Sequence, residues 1–280
     1  MRLKDKVIIV TGSTTGVGEA IARRCAAEGA KVLIHGSRRQ AGERVAAALG
    51  SAACLHIDDL SDAKAPERIV AAALASFGRL DGLVNNAAWV VRSNIHTTDA
   101  ALFDRVMAIN VRAPLLLIKA ALEHLQRSRG SVLNIGSVNA YTGETNQLDY
   151  SISKGALMTL SRNLADALAA RGVRVNHFNL GWILTPNEYK LKISEGLPAD
   201  WPERVPEKFA PSGRILAPEH IAAAAVFWLN DESRPLSGTV LDLEQYPVIG
   251  RNPVKENTLL EGVYDASGPV LRRQPAKENN

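Results

Sequence analysis

Short apolar runs alternate with helical stretches along this 280-residue chain, and that alternation narrows the fold more than any other feature. Residues 7–10, 31–34, 53–57, 80–84, 131–135, 173–178 and 239–243 read as strands. Between them lie Ala-rich or helically periodic segments: 18–29, 40–49, 66–77, part of 100–127, 150–171 and 218–229. The strands are apolar at successive positions, which is the pattern of a strand buried on both faces. Strands of that kind separated by helices pair in parallel. The expected fold is therefore α/β, a single doubly wound domain with a parallel sheet of about seven strands and helices on both faces. It should span residues 1–250, leaving 251–280 as a C-terminal extension rich in Gly, Pro and charge.

Charge and composition remove several classes of function. Lys and Arg exceed Asp and Glu by only 33 to 29, and the charges are scattered. Nucleic-acid binding needs a basic patch or stripe, so it is not expected. Cys25 and Cys54 form no CxxC pair and read as small buried residues. The six histidines are isolated, so no metal site is expected. The longest apolar run, 221–229, has nine residues, short of the ~20 of a membrane span. No signal peptide precedes residue 7, which makes a cytoplasmic, membrane-free protein the expectation. Segment 186–213 stands apart, with five prolines and many charges. A long irregular segment inside a compact domain is usually functional, and here it reads as a substrate lid.

The first strand runs into Thr11-Gly12-Ser13-Thr14-Thr15-Gly16-Val17-Gly18 and then directly into a helix. Gly12 suits a tight turn, Gly16 a close approach of backbone to a pyrophosphate, and Gly18 close packing of helix on strand. The helix N-terminus adds free N–H groups and a positive dipole end. The Gly-x3-Gly-x-Gly spacing differs from GxGxxG, but its place between strand and helix marks a Rossmann-type dinucleotide site. After the second strand comes His35-Gly36-Ser37-Arg38-Arg39, where an acid would favour NAD. With none present, Ser37 and the two arginines suit a 2′-phosphate, or form a solvated basic turn. NADP(H) is thus the preferred cofactor and NAD(H) the alternative.

Tyr150 and Lys154 lie one turn apart on one helix face. A phenol titrates near ~10 and is a poor base at neutral pH. A neighbouring ammonium and a cationic nicotinamide would lower that value and make Tyr150 a general acid/base. Such a pair is common in helices. Ser137, at the carboxyl end of the fifth strand, strengthens the reading.

From about residue 4 to 243 the chain resembles the short-chain dehydrogenase/reductase family. Residues 11–18 match the TGxxxGxG turn, Asp59-Leu60 the pair that meets the adenine, and Asn85-Asn86-Ala87-Ala88 the NNAG motif with its last glycine replaced. Asn110 matches the helix asparagine. Ser137 precedes Tyr150 by 150 − 137 = 13 residues, and Tyr150 to Lys154 matches YxxxK. Arg174-Val175-Asn176 and 211–221 match two further segments. The resemblance implies a catalytic set of Asn110, Ser137, Tyr150 and Lys154. Tyr150 exchanges the proton, Ser137 hydrogen-bonds the substrate oxygen, Lys154 binds the nicotinamide ribose and lowers the tyrosine pKa, and Asn110 holds a relay water through its backbone. It implies a cofactor set of Gly12, Ser13, Thr15, Gly16, Val17, Gly18, Ser37, Arg38, Asp59, Leu60, Asn86, Tyr150, Lys154 and Thr185. It also implies a homo-oligomer, a tetramer with twofold axes.

Besides Ala88, the sequence departs from the family at three places. Leu180 replaces the proline of the PG motif, Trp182 follows Gly181, and Glu244-Gln245-Tyr246 stands where Asp-Gly-Gly is usual. The tail beyond 250 either shapes the pocket or is solvated. Trp89, Asn139 and Trp182 are the candidate substrate contacts, within loops that are polar with a few aromatics. Such a pocket suits a small polar alcohol or carbonyl, a sugar or polyol. A 3-oxoacyl thioester is the enzymatic alternative, and a non-catalytic dinucleotide sensor the alternative of another class.

Overall fold

The structure, a computed structural model, describes residues 1–249 and, beyond them, the backbone of one strand pair. The chain divides into two compact units, Met1–Ile249 and Gly250–Asn280. In the second, Tyr264–Asp265 pairs antiparallel with Gly268–Pro269; the rest of the tail lies outside the described residues.

The first unit carries seven parallel strands: β1 (Val7–Val10), β2 (Lys31–Gly36), β3 (Ala53–Ile57), β4 (Gly82–Asn85), β5 (Ser131–Ser137), β6 (Arg174–Leu180) and β7 (Val240–Leu243). Their order is β3-β2-β1-β4-β5-β6-β7. The chain leaves β1 toward one edge and then crosses back beside it to β4. That reversal opens a crevice at the carboxyl ends of β1 and β4, where ligands of such sheets bind. Period-two geometry explains the unbroken apolar runs. Ile8 and Val10 join a core with α1 (Gly16–Ala27), α2 (Arg39–Leu49) and α9 (Pro218–Leu229). Val7 and Ile9 join the opposite core with α3 (Ala65–Phe77), α5 (Ala113–Ser128) and α7 (Leu148–Ala169). No helix among the described residues is long and apolar enough to cross a membrane.

Two segments differ from expectation. The helical stretch within 100–127 is divided into α4 (Ala100–Met107) and α5 by a π-helical turn, Ala108–Arg112. Such turns often mark functional sites, and this one contains Asn110. Segment 186–213 is not simply irregular. Pro186–Ser194 forms a helix, with Thr185 as N-cap accepting the Glu188 N–H and proline in its first turn, and Trp201–Glu203 adds a 3₁₀ turn. Proline near a helix start loses no intrahelical bond, so this proline opens a helix where a proline-rich reading predicts a loop. The short helix after β5, Asn139–Thr142, is α6, and Pro186–Ser194 is α8.

Candidate active site

A cleft of about 1340 Å³ runs across the carboxyl ends of the strands. At one end lies the glycine turn. Gly12 adopts φ +63°, and a Cβ on Gly18 would stand 2.4 Å from both the Gly12 carbonyl and Asn86 Nδ2. The turn is therefore closed on itself at Gly12 and Gly18 and against the residues after β4, where a Cβ on Gly12 would lie 2.9 Å from the Ala87 Cα. Thr11 Oγ1 accepts the N–H groups of Asn86 and Ala87 at 3.0 and 3.1 Å, and Asn86 Nδ2 donates to the Thr11 carbonyl at 2.9 Å. The Thr15 side chain makes no capping hydrogen bond, so the first N–H groups of α1 are left for a ligand. These residues fit a pyrophosphate.

Gly12, Thr15, Gly16, Val17, Gly18, Ser37, Arg38, Asp59, Leu60, Asn86 and Thr185 line the cleft. Ser13 does not. It is fully buried, donating to the Val10 carbonyl at 2.7 Å and accepting the His35 N–H at 3.0 Å, and so braces β1 against β2. At the ribose end, a Cβ on Gly36 would lie 2.6 Å from the Thr14 methyl, which leaves no room there for an acidic side chain. Arg38 is exposed at the cleft, whereas Arg39 turns to Glu43 at 3.8 Å. Asp58 also lines the cleft, unforeseen from sequence. Arg68 donates two hydrogen bonds to it, at 2.8 and 2.7 Å, and holds its carboxyl well below the usual range.

At the other end, β5 carries Ser137 and α7 carries Tyr150 and Lys154 into the same cleft. Ser137 Oγ accepts the Asn139 N–H at 3.2 Å, and its hydroxyl acts on the Tyr150 phenol. Burial pushes the Tyr150 phenol up to about 12, the Ser137 hydroxyl pulls it down, and the Glu188 carboxylate pushes it up. Lys154 is buried, donates to the Ile135 carbonyl at 2.7 Å, and is brought down to about 8 by burial. Its Nζ is 5.4 Å from the Tyr150 ring centroid. In the protein alone burial thus outweighs the lysine as an influence on the phenol.

Asn110 is buried behind the cleft wall. Its Oδ1 accepts the Trp89 N–H at 2.8 Å, and its Nδ2 donates to the Trp89 carbonyl at 3.1 Å and to Ser153 Oγ at 3.0 Å. Its side chain therefore ties the loop after β4 to α7. Trp89, Asn139 and Trp182 line the substrate end. Trp182 is fixed from several sides. Its N–H donates to Glu244 Oε2 at 2.9 Å, and its ring stacks on Trp201 at 5.5 Å and meets the edge of Phe209 at 6.3 Å. Gly181 allows this, since a Cβ there would lie 1.7 Å from Glu244 Oε2. The departure at Glu244 thus holds the backbone on which the Trp182 ring is carried. Glu188, Lys192, Glu195 and Arg92 complete this wall. Arg92 and Glu188 lie in loops expected to meet substrate, whereas nothing in the sequence marks Lys192 and Glu195, which α8 and its end bring beside them.

The family model described as enoyl-(acyl carrier protein) reductase matches residues 12–244. The meso-2,3-butanediol dehydrogenase of Serratia marcescens is 32% identical over 87% of this chain and 95% of its own length. A 2-(S)-hydroxypropyl-CoM dehydrogenase of Xanthobacter autotrophicus is 35% identical over 87% of this chain and 96% of its own. Among solved structures, a 3-ketoacyl-(acyl-carrier-protein) reductase from Brucella melitensis, complexed with NADH, superposes with a TM-score of 0.77 at 31% identity, covering 86% of this chain and 97% of that one.

Proposed function

The chain belongs to the short-chain dehydrogenase/reductase family, a nicotinamide-dependent oxidoreductase of CH–OH and C=O groups, and from that premise we propose that it prefers NADP(H) and acts on a small polar diol, polyol or sugar. One observation carries the chemistry: Ser137, Tyr150 and Lys154 converge in the cleft that the glycine turn opens. When bound, the nicotinamide gives or takes the hydride. Tyr150 takes the hydroxyl proton during oxidation and returns it during reduction. Ser137 donates a hydrogen bond to the same oxygen as its charge develops. Lys154 binds the nicotinamide ribose, and Asn110 holds the wall behind it. Ser37 and Arg38 would hold the 2′-phosphate, and Arg68 pairs the charge of Asp58, the acid that lines the same end of the cleft.

The substrate reading is supported by the polar lining around Trp182 and by the alcohol named in the butanediol relative. Exposed Leu115 on α5 and Ile152 on α7 support a twofold interface along those helices, and a tetramer by light scattering is the expected result. Absorbance at the nicotinamide band, with NADP(H) and NAD(H) against a panel of diols, polyols, sugars and a 3-oxoacyl thioester, tests the proposal. Turnover should be best with NADP(H) and a polyhydroxylated substrate. Best turnover with the thioester would replace the substrate class, and equal use of both cofactors would remove the 2′-phosphate assignment.

A further inference from the structure

Glu188 occupies the first turn of α8, four residues before Lys192, where acids ordinarily serve the helix itself. Thr185-Pro186-Asn187-Glu188 has the pattern of a capping box, in which the glutamate side chain would return to the N-cap N–H. Here that N–H instead approaches the Ile183 carbonyl at 3.0 Å. The next ordinary use is an ion pair with the lysine one turn on. That lysine is also engaged elsewhere, since Lys192 Nζ lies 2.7 Å from Glu195 Oε2, and Arg92 holds the other Glu195 oxygen at 2.7 Å. Among the described residues, one glutamate of the wall thus takes two cations and the other takes none.

Glu188 Oε1 instead accepts the Trp182 indole N–H at 2.8 Å. Trp182 is itself held by Glu244, Trp201 and Phe209, so the carboxylate hangs from a rigid support. Oε2 takes no hydrogen bond from another described residue. The carboxylate is half-buried, lines the cleft and acts electrostatically on Tyr150. A carboxylate fixed at one oxygen and open to the cleft at the other is set to take a charge-assisted hydrogen bond from a ligand that brings a donor. Asn139 adds to this character, because its Nδ2 is spent on Gln147 Oε1 at 2.8 Å and its carbonyl oxygen remains as an acceptor.

Resting on the oxidoreductase reading above, we propose that Glu188 is the specificity-determining residue of the cleft: its carboxylate, fixed by the Trp182 indole, accepts a hydrogen bond from a hydroxyl on the carbon next to the one that reacts, and so selects vicinal diols and polyols over mono-alcohols. A hydrogen bond to a charged group contributes ~1.5–3 kcal/mol, or about 10- to 150-fold in selectivity.

The test compares kcat/KM for a vicinal diol with that for the mono-alcohol of the same carbon skeleton, in wild type, Glu188→Gln and Trp182→Phe. The diol-to-mono-alcohol ratio should fall about 10- to 150-fold in Glu188→Gln. It should fall less in Trp182→Phe, which keeps an aromatic platform and frees the carboxylate. A second readout separates recognition from scaffolding. The groups bearing on Tyr150 are Ser137, Lys154 and Glu188, and removing the one negative charge should shift the pH midpoint of alcohol oxidation downward. An unchanged ratio in Glu188→Gln overturns the proposal, as does a wild-type preference for a vicinal amino alcohol over the diol, which would make the carboxylate an ammonium site. Absence of turnover in wild type with every alcohol and carbonyl would instead overturn the oxidoreductase reading beneath it.

Discussion

The two ends of the cleft are built by different means. At the cofactor end the backbone sets the contacts: the Gly12 carbonyl and the Asn86 amide leave no room for a side chain at Gly18, and a Cβ on Gly12 would lie 2.9 Å from the Ala87 Cα. At the substrate end, side chains meet side chains. Arg92, from the loop after β4, joins Trp182, Glu188, Lys192 and Glu195 in one wall. Backbone contacts admit few residue types, so the cofactor end is written as a compact motif. Side-chain contacts admit many solutions, so the wall can change while the chemistry stays. Common nicotinamide chemistry joined to divergent substrates is what such a division produces.

The largest effect should come from the residue where the two ends meet. Tyr150→Phe should lower turnover by ~10²–10⁴-fold while cofactor affinity stays within a few-fold, measured by steady-state kinetics and by cofactor titration. Oxidation needs the phenolate and reduction the phenol. Because burial pushes the phenol up to about 12, wild-type kcat/KM for oxidation should climb with rising pH, and that for reduction should fall. Near-normal turnover in Tyr150→Phe would move the proton transfer to another group.

Next in size is Gly18→Ala, which tests whether the cofactor end is closed by backbone. A methyl 2.4 Å from the Gly12 carbonyl cannot be relieved by rotating a side chain. Unfolding free energy should fall by ~1–3 kcal/mol, with cofactor affinity falling alongside, in urea denaturation and cofactor titration. A variant as stable and as well bound as wild type would show that the turn is looser than described.

Arg38→Ala probes the one place where the cofactor end depends on an exposed side chain. It should weaken NADP(H) about 10- to 100-fold and NAD(H) little, the scale of losing a charge-assisted hydrogen bond. Arg39→Ala should do less, since that side chain faces Glu43. Equal losses for both cofactors would remove the phosphate from this site. The smallest effect belongs to the rim of the other end. Arg92→Ala breaks a pair with Glu195 that is about one-third exposed on either side. Such pairs contribute under ~1 kcal/mol, so KM should change by a few-fold at most, and less at high salt.

The same division explains what could be read in the sequence. Seven apolar strands, the glycine turn, and the spacing of Ser137, Tyr150 and Lys154 were all legible, because each follows from periodicity or from local backbone demands. Ser13 entered the expected cofactor set because it sits within the motif, while its hydroxyl donates to the Val10 carbonyl and it does not line the cleft. The π turn at Asn110 left no mark, since its residues are ordinary helix formers by pattern. α8 was hidden by prolines that, in the event, open one helix and otherwise fall outside it. The contact of Glu244 with Gly181 and the Trp182 N–H showed only as a departure at Glu244, because nothing local relates residues that far apart.

The central claim, that the cleft joins a nicotinamide to an alcohol for direct hydride transfer, is tested most directly by isotope. The best alcohol from the panel, deuterated at its carbinol carbon, is oxidised with NADP⁺, and the reduced cofactor is examined by mass spectrometry and NMR. One deuterium per turnover should appear on the nicotinamide ring. Reduced cofactor without deuterium, or no reduction by any alcohol despite intact cofactor binding, would contradict the account.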